Sequence, residues 1–293
     1  MILKKLLVAI AMTGVFAGAQ AQMYWKVTEP ETGTTSYMLG THHFAPVSFL
    51  DNLAGLDSAL SKCGKLYGEI IMADMMKPEY MMQMQQQMMA PADSTLDKLL
   101  GAEQLDSLKA VWKEYGNPQL PEQVMPMLKP AAIGTQLAAF MAAKVFPSVD
   151  FTNGIDQAMQ TRARNMGKPV DAFETADYQL QVLFGKSIAD QAEELMKTVR
   201  DVKGTADKMK KLTDAYMSQD FGTLTEMFED AYAEDPAGTE TLIYGRNDRW
   251  VERLDKEMRT TPLFVVVGAG HLVGDRGLVT ALRNLGFKVE PAN

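Results

Sequence analysis

Two copies of a short pattern, one near each end of the chain, are the strongest constraint on its fold. Each copy is an apolar strand-like run, a glycine, two further residues and a histidine; one spans 36–43 and ends at His43, the other spans 263–271 and ends at His271. A glycine at a strand end permits a sharp turn. The histidine then lies at the carboxyl edge of the sheet, where α/β sheets bind ligands. The repeat predicts two strand–turn–helix–strand units side by side, with both histidines facing one crevice.

Strand patterns cluster at the two ends of the sequence, which indicates one sheet assembled from both termini. The predicted strands are 24–28 and 35–39 (a hairpin), 65–71, 169–173, 263–267 and 287–290. We therefore expect a mixed α/β fold with a central mixed sheet. The sheet core takes in about 22–75 and 260–293 with the strand near 169–173, and a large helical insertion covers about 76–258. Two independent domains are disfavoured, because either end alone has too few strands for a stable sheet.

Helical periodicity fills the remainder of the chain. The predicted helices are 49–62, 96–115, 130–144, 152–165 and 277–285, and 175–258 is nearly all helical with breaks at Gly185, Gly204, Gly222 and 235–238. The segment 79–89 is rich in methionine and glutamine. Methionine packs adaptably and lines some binding surfaces, so this segment is either a helix packed on the domain or a lid.

The amino-terminal residues 1–21 read as a secretory signal peptide. Lys4 and Lys5 precede an apolar run of about a dozen residues and a small-residue cleavage pattern at Ala19 and Ala21. The run is too short to cross a bilayer as a helix. These features predict export to the periplasm or the extracellular space, leaving residues 22–293 as a single domain without a membrane anchor.

The charge of the chain argues against polyanionic partners. Its formal net charge is −8, no basic cluster is present, and the balance becomes more acidic once Lys4 and Lys5 are removed. Nucleic acid is therefore not an expected partner, whereas a peptide or small-molecule substrate is, and the oligomeric state stays open. The single cysteine, Cys63, rules out an intramolecular disulfide and is expected to be an inert core residue.

The three histidines of the chain lie within the two repeated motifs, which points to metal chemistry. With a carboxylate from Glu69 on the predicted strand 65–71, His43 and His271 would form a site suited to Zn, Mn, Fe or Co, and such a metal activates water. His42 is either a further ligand or a hydrogen-bond partner of one. The competing interpretation is that each motif histidine merely caps the helix that follows it.

Several segments of the chain together resemble a known family. The segments that carry the resemblance are, in order, Gly40-Thr-His-His43, Glu69, Asn153-Gly-Ile-Asp156, Gly167-Lys-Pro-Val170, Phe173-Glu-Thr175, Gly245-Arg-Asn247, Trp250 and Gly268-Ala-Gly-His271. Their order and spacing, from about Tyr24 to Glu290, are similar to those of the TraB/PrgY/GumN family, which includes the animal Tiki proteins. The resemblance implies a fold like that of the erythromycin-esterase/ChaN-like group, with a duplicated core.

The resemblance also implies metal-dependent hydrolysis, because Tiki proteins are described as Mn- or Co-dependent proteases. It makes His43 and His271 metal ligands and Glu69 a ligand or general base. The family's Arg-Asn pair falls on Arg246 and Asn247, for which binding of a substrate carboxylate or stabilisation of an oxyanion is implied. The family pattern also matches Asp156, Lys168 and Glu174, either close to the site or as structural residues.

The expected function is that of an exported metal-dependent hydrolase, foremost a peptidase, with Mn, Co or Zn as the metal. The alternative is a non-catalytic protein that sequesters a peptide signal or haem in the same crevice, as the related ChaN-like proteins bind haem; a structural role in the cell envelope is a third. A serine hydrolase is disfavoured because no Gly-x-Ser-x-Gly segment is present. A cysteine nucleophile is disfavoured because Cys63 ends a predicted helix rather than beginning one.

Overall fold

A six-stranded mixed sheet forms the centre of the protein, as the sequence predicts. The computed structural model describes residues 23–116, 123–147 and 153–292, so the predicted signal peptide lies outside the described residues. The strands are β1 Tyr24–Thr28, β2 Thr35–Thr41, β3 Lys65–Gly68, β4 Val170–Ala172, β5 Leu263–Gly268 and β6 Lys288–Pro291. Their order across the sheet is β4-β3-β5-β2-β1-β6. Both chain ends therefore contribute strands to one sheet.

The two repeated motifs lie next to each other because their strands are paired. β2 and β5 are parallel neighbours, with Thr41 opposite Gly268. β3 runs parallel to β5 on its other side, and β4 runs parallel to β3, whereas β1 is antiparallel to both β2 and β6. The carboxyl ends of β2, β5, β3 and β4 consequently meet at one edge of the sheet.

Helices surround this sheet and form the central part of the sequence. Within the described ranges they are α1 Leu56–Lys62, α2 Pro78–Met88, α3 Leu96–Leu99, α4 Ala102–Tyr115, α5 Pro130–Val145, α6 Ile155–Asn165, α7 Ala176–Phe184, α8 Ile188–Arg200, α9 Val202–Met217, α10 Phe221–Glu234, α11 Pro236–Thr239, α12 Gly245–Met258 and α13 Leu278–Asn284. Short 3-10 turns occur at Val47–Asn52, Met72–Met76, Met125–Met127 and Ala269–His271, and a π-helical turn at Glu240–Tyr244. None of these described helices is both long and apolar enough to cross a membrane.

Both faces of the sheet are covered, which explains the uninterrupted apolar run of β5. Successive side chains of a strand point to opposite faces. Phe264 and Val266 pack in a cluster with residues of α1, α6 and α9. Val265 and Val267 pack in a second cluster with residues of α12 and α13. A parallel strand buried on both faces reads as a continuous hydrophobic run.

The helical insertion has a core of its own. A third cluster of buried residues joins α3, α4, α5, α7 and α8, with Leu108, Leu137 and Leu195 among its members. The methionine-rich segment is helical, as predicted, and forms α2. Tyr80 of α2 is buried in this cluster, with Met84 packed against it. The segment is thus held against the insertion core rather than free of it.

Several predicted boundaries were wrong, each for a local reason. The helix expected over 49–62 is interrupted before α1, because Gly55 adopts a left-handed conformation with φ of 70°. The helix expected over 96–115 is divided between α3 and α4 at Leu100 and Gly101. The strand expected over 65–71 ends at Gly68, so Glu69 follows β3 directly.

Two glycines that were expected to break helices lie inside them. Gly204 and Gly222 fall in the first turns of α9 and α10. The helices begin earlier because Asp201 accepts a hydrogen bond from the backbone N–H of Gly204, and Asp220 accepts one from Thr223, each at 2.9 Å. Capping carboxylates therefore set the start of each helix.

Candidate functional site

A cavity of about 290 Å³ lies at the carboxyl edge of the four parallel strands. Its polar floor comes from the strand ends and from α12, and consists of Thr41, His42, His43, Glu69, Arg246, Gly268 and His271. Its largely apolar walls come from helices of the insertion and include Val182, Leu183, Leu212, Leu224, Phe228, Leu242 and Ile243. The sheet therefore supplies reactive groups and the insertion supplies a hydrophobic enclosure. No residue of the methionine-rich α2 lines this cavity.

Arg246 is the central charge of the floor, and all its hydrogens are engaged. Its Nε and Nη2 donate to Glu174 at 2.8–3.1 Å, and Nη2 also donates to Glu69 at 2.6 Å. Its Nη1 donates to the carbonyl oxygen of Leu242 at 2.9 Å and to Nε2 of His271 at 3.2 Å. A guanidinium has five N–H bonds, and these contacts use all of them. Arg246 thus orients its neighbours and holds no free donor for a substrate.

The tautomer of His271 follows from its two partners. Arginine can only donate, so Nε2 of His271 accepts from Arg246. Nδ1 then carries the hydrogen and donates to Oδ1 of Asn247 at 2.7 Å. Asn247 is fixed in this orientation because its amide nitrogen donates to the carbonyl oxygens of His271 and Arg276, at 3.1 and 2.9 Å. Burial lowers the pKa of His271 to about 4, so the ring is neutral near pH 7 and its Nε2 lone pair accepts from Arg246.

Glu69 is held as a carboxylate. Its Oε1 accepts from the backbone N–H of Gly268 at 2.8 Å and lies 3.7 Å from Nε2 of His271, while Oε2 accepts from Arg246. Burial opposes ionisation, but His271, which is protonated in the acidic range where Glu69 titrates, together with Arg246 and the N–H of Gly268 outweighs it and lowers the pKa of Glu69 to about 2. A carboxylate that accepts several charge-assisted bonds ionises readily even when it is enclosed.

Asp156 is the second carboxyl group of the site, and its environment acts in the opposite direction. Its Oδ1 accepts a hydrogen bond from the Thr41 hydroxyl at 3.1 Å. Burial and the nearby charge of Glu69 raise the pKa of Asp156, although His43 partly opposes the change. The two carboxyl groups thus have pKa values displaced in opposite directions, which is the arrangement that separates an acid from a base.

The adjacent histidines of the first motif have different environments. His42 is partly buried, and its Nε2 lies 2.8 Å from the hydroxyl of Thr213 on α9. That hydroxyl donates to the carbonyl oxygen of Met209 at 3.0 Å, so His42 is the donor in the first contact. Burial lowers the pKa of His42 to about 4. His43, in contrast, is exposed at the cavity mouth.

An aromatic stack supports the floor from below. The Trp250 ring lies 4.3 Å from that of His271 and its indole N–H donates to Glu174 at 3.1 Å. Phe173 stacks on the other side of Trp250 at 4.9 Å. The π-helical turn Glu240–Tyr244 immediately precedes Arg246, and such turns are common at functional sites. These contacts fix the ring and guanidinium planes, which favours a rigid site.

The structure brings most of the predicted site residues together, with one exception. His43, Glu69, His271 and Arg246 line the cavity, and Asn247, Asp156 and Glu174 contact the residues that line it. Lys168 lies elsewhere: its ammonium donates to the carbonyl oxygens of Ser61 and Cys63 at the end of α1, at 2.6 and 2.8 Å. Lys168 therefore caps a helix and has no contact with the floor. Cys63 is buried, and burial raises its pKa to about 12, so its thiol is inert.

Three contributing residues were not found from the sequence. Thr41 and Thr213 orient Asp156 and His42, and buried Gln160 bonds the backbone just beyond Glu69, at Ile70 and Met72. Threonine hydroxyls carry no sequence signal of such a role. Gln160 alone had a sequence signal, because it is a polar residue on the otherwise apolar stripe of α6, where it is 1% exposed.

The donor set has the chemistry of a divalent-cation site. The lone pair of His271, the imidazole of His43 and the carboxylate of Glu69 are ligands of the kinds that Zn, Mn and Co accept. When ionised, the three carboxyl groups of Glu69, Glu174 and Asp156 outnumber the single guanidinium of Arg246. A bound cation would therefore reduce an excess of negative charge. Among the described residues no three His, Cys, Asp or Glu side chains already stand close enough to hold a metal. A bound ion would have to replace Arg246 at Nε2 of His271.

Fold and site together define an α/β protein with a histidine- and carboxylate-lined site at the carboxyl edge of its parallel strands. The chain belongs to the TraB/PrgY/gumN family, whose sequence profile matches residues 23–291. The family resemblance of the motifs is thereby confirmed over nearly the whole chain. No curated protein and no solved structure matches it.

Proposed function

We propose that the protein is an exported metal-dependent hydrolase that cleaves peptides in the cavity at the carboxyl edge of the sheet. The observation that carries this proposal is the convergence of His43, His271 and Glu69 on one cavity, beside a second carboxyl group, Asp156, whose pKa is raised. Hydrolysis of an amide needs one group to take a proton from water and another to give a proton to the leaving amine. Asp156, which contacts the cavity-lining Thr41, would give the proton, and Glu69, a weak base because of its lowered pKa, would take one only from water acidified by a bound metal.

The protein's own groups hold this pair in place. Arg246 keeps Glu69 ionised and fixes its position, while the Thr41 hydroxyl orients Asp156. His271 is locked as the neutral tautomer by Asn247. A Mn, Co or Zn ion held by His43, His271 and Glu69 would supply activation of water.

The shape and lining of the cavity support a peptide substrate. Its walls are largely apolar, with Gln179 and Tyr216 as their polar members, and most of its polar groups lie on the floor, which is the usual composition of a small-molecule or side-chain pocket. The volume of about 290 Å³ is near the lower limit for such pockets. This size favours one or two amino-acid side chains over haem.

The test is cleavage of a peptide library, read by mass spectrometry, with metal content measured on the same preparation. We expect cleavage by the wild type, its loss after chelation and its return with Mn, Co or Zn. Asp156→Asn should lower kcat/KM by about 10²- to 10⁴-fold, the usual contribution of a general acid or base. Asp171→Asn is the matched control, because Asp171 lies on β4, outside the cavity, and is half exposed.

One specific observation favours the alternative, a non-catalytic protein that sequesters a peptide. Every N–H of Arg246 is engaged within the protein, so the floor offers no free guanidinium donor to an oxyanion. Peptides that bind saturably and are recovered intact, from protein with and without added metal, would refute the hydrolase and support sequestration.

A further inference from the structure

A second cavity, of about 300 Å³, lies between α9 and α10 beside the candidate site. Two residues, Leu212 of α9 and Phe228 of α10, line both cavities. Phe228 also packs on the second histidine motif: a Cβ placed at Gly270 would lie 2.5 Å from its ring. The two cavities are therefore neighbours separated by side chains rather than by backbone.

The floor of this second cavity is apolar. It is formed by Met209, Leu212, Met227, Phe228 and Ala231. Two of these are methionines, whose flexible thioether side chains adapt to differently shaped partners. Such a lining suits an aliphatic or aromatic side chain.

The rim of the second cavity is charged but balanced. Lys208 and Lys211 face Asp230 and Glu234 around it. Lys208 and Glu234 form an ion pair across the two helices, with both side chains about 70% exposed (70% and 67%). Equal numbers of each sign give no net attraction for a charged ligand, and an exposed pair of this kind contributes little to holding the helices together.

The helix that forms one wall is anchored by one fully buried side chain and by two partly buried aromatic ones, Phe221 and Phe228. Leu224 is the one fully buried residue among the fourteen of α10. Its contacts with α9 and with the turn Ala269–His271 place it directly over the floor of the site. A side chain entering between α9 and α10 therefore needs to displace few packed neighbours.

We propose that the groove between α9 and α10 is a second subsite, which binds an uncharged apolar side chain of an extended peptide outside the residues that flank the scissile bond. The inference deepens the proposed function and rests on it for the identity of the ligand as a peptide. Continuity with the candidate site through Leu212 and Phe228 is the reason for choosing this occupant. Short substrates would fill the first cavity alone, whereas longer ones would fill both.

The test compares two fluorescein-labelled peptide amides by fluorescence anisotropy, a tripeptide and a nonapeptide with leucine at alternate positions and the same central residues. Both carry N-methyl groups at the two peptide bonds that flank the central residue, which makes those bonds resistant to cleavage. Burial of one leucine-sized side chain is worth more than about tenfold in affinity. We therefore expect the wild type to bind the nonapeptide at least about tenfold more tightly than the tripeptide.

Two variants of α10 make the comparison specific. Ala231→Trp fills the second cavity without adding to the first, and should abolish the preference for the nonapeptide while leaving tripeptide affinity unchanged. Ala233→Trp is the control, because Ala233 is exposed on the same helix and lines neither cavity. Thermal melting of both variants shows that each is folded.

Three results would overturn the proposal: equal affinities of the wild type for both peptides, a nonapeptide preference that survives Ala231→Trp, or no binding of either peptide. The readout is binding and not turnover. A protein that binds the nonapeptide more tightly but cleaves nothing would refute the hydrolase and leave the subsite standing.

Discussion

Replacement of Arg246 by leucine tests the central claim about the site, that one buried guanidinium holds two carboxylates in place. Arg246 is 5% exposed and its hydrogen-bond partners Glu69 and Glu174 have side chains 17% and 5% exposed. Removing one member of a buried ion pair leaves an uncompensated charge, at a cost of about 3–5 kcal/mol. Arg246→Leu should therefore lower the free energy of unfolding by several kilocalories per mole.

The pKa of Glu69 gives an independent magnitude. Its pKa is about 2 in the fold, against an ordinary value of 4.5. At about 1.4 kcal/mol per pH unit, ionised Glu69 contributes at most about 3 kcal/mol of stability at neutral pH, where His271, one cause of the shift, is neutral. Because the folded pKa is the lower one, this contribution is present above pH 4.5 and lost as the pH falls towards 2. The two figures agree in size.

The assay is urea unfolding of wild type and Arg246→Leu at pH 7 and at pH 4.5, in the presence of a chelator. We expect a loss of about 3–5 kcal/mol at pH 7 and a smaller one at pH 4.5, where the carboxyl groups left behind take up protons. Arg253→Leu is the matched control on the same helix. Arg253 pairs with Asp171 and Glu257 but is 40% exposed, so about 1 kcal/mol or less is expected. Equal losses in the two variants, or a loss independent of pH, would refute the reasoning.

Three further outcomes are expected. Because burial lowers the pKa of His42 and of His271 to about 4, the unfolded chain binds protons that the fold excludes, and stability should fall from pH 6.5 towards pH 4 by about 3 kcal/mol per histidine. Protonation of Asp156, whose pKa is raised in the fold, offsets part of this loss of stability. A urea midpoint that does not change between pH 6.5 and pH 4 would contradict the lowered histidine pKa values. Gln160→Leu removes the partner of the buried Ile70 carbonyl and of the half-buried Met72 N–H, so it should cost about 2–4 kcal/mol; Gln160→Glu keeps only the bond from Met72 and buries a charge, so it should not recover full stability, and calorimetry measures both. The thiol of Cys63 should stay unmodified by iodoacetamide in the native state and react in urea, and rapid native labelling seen by mass spectrometry would show that it is accessible.

Much of the fold was predictable from hydrophobic period alone. Alternating or continuous apolar runs identified every strand of the sheet, and helical spacing identified most of the helices, because burial imposes those periods on the sequence. The boundaries were less predictable. A left-handed Gly55 and capping carboxylates at Asp201 and Asp220 decided where helices begin, and these are local hydrogen-bond and dihedral effects with little hydrophobic signature.

Which residues lie near the site could be predicted from the sequence, because a motif at the carboxyl end of a parallel strand lies at one edge of the sheet. Gly40 and Gly268 lie at the ends of neighbouring parallel strands, so His43 and His271 lie at the same edge of the sheet. Glu69 follows the next parallel strand and lies at that edge too. The arrangement of the helices does not change this placement. This outcome depends on strand order and register alone. It also explains why family resemblance and residue chemistry pointed to the same groups.

The chemistry available to those groups depends instead on side-chain contacts that form when the chain is folded. The engagement of all five donors of Arg246, the neutral tautomer of His271 and the opposite pKa displacements of Glu69 and Asp156 each depend on several side chains from distant segments meeting within hydrogen-bond distance. The strength of a hydrogen bond and the degree of desolvation both change when atoms move by about an ångström. No periodicity or motif spacing carries that information, and it exists only once sheet, insertion and α12 are packed together.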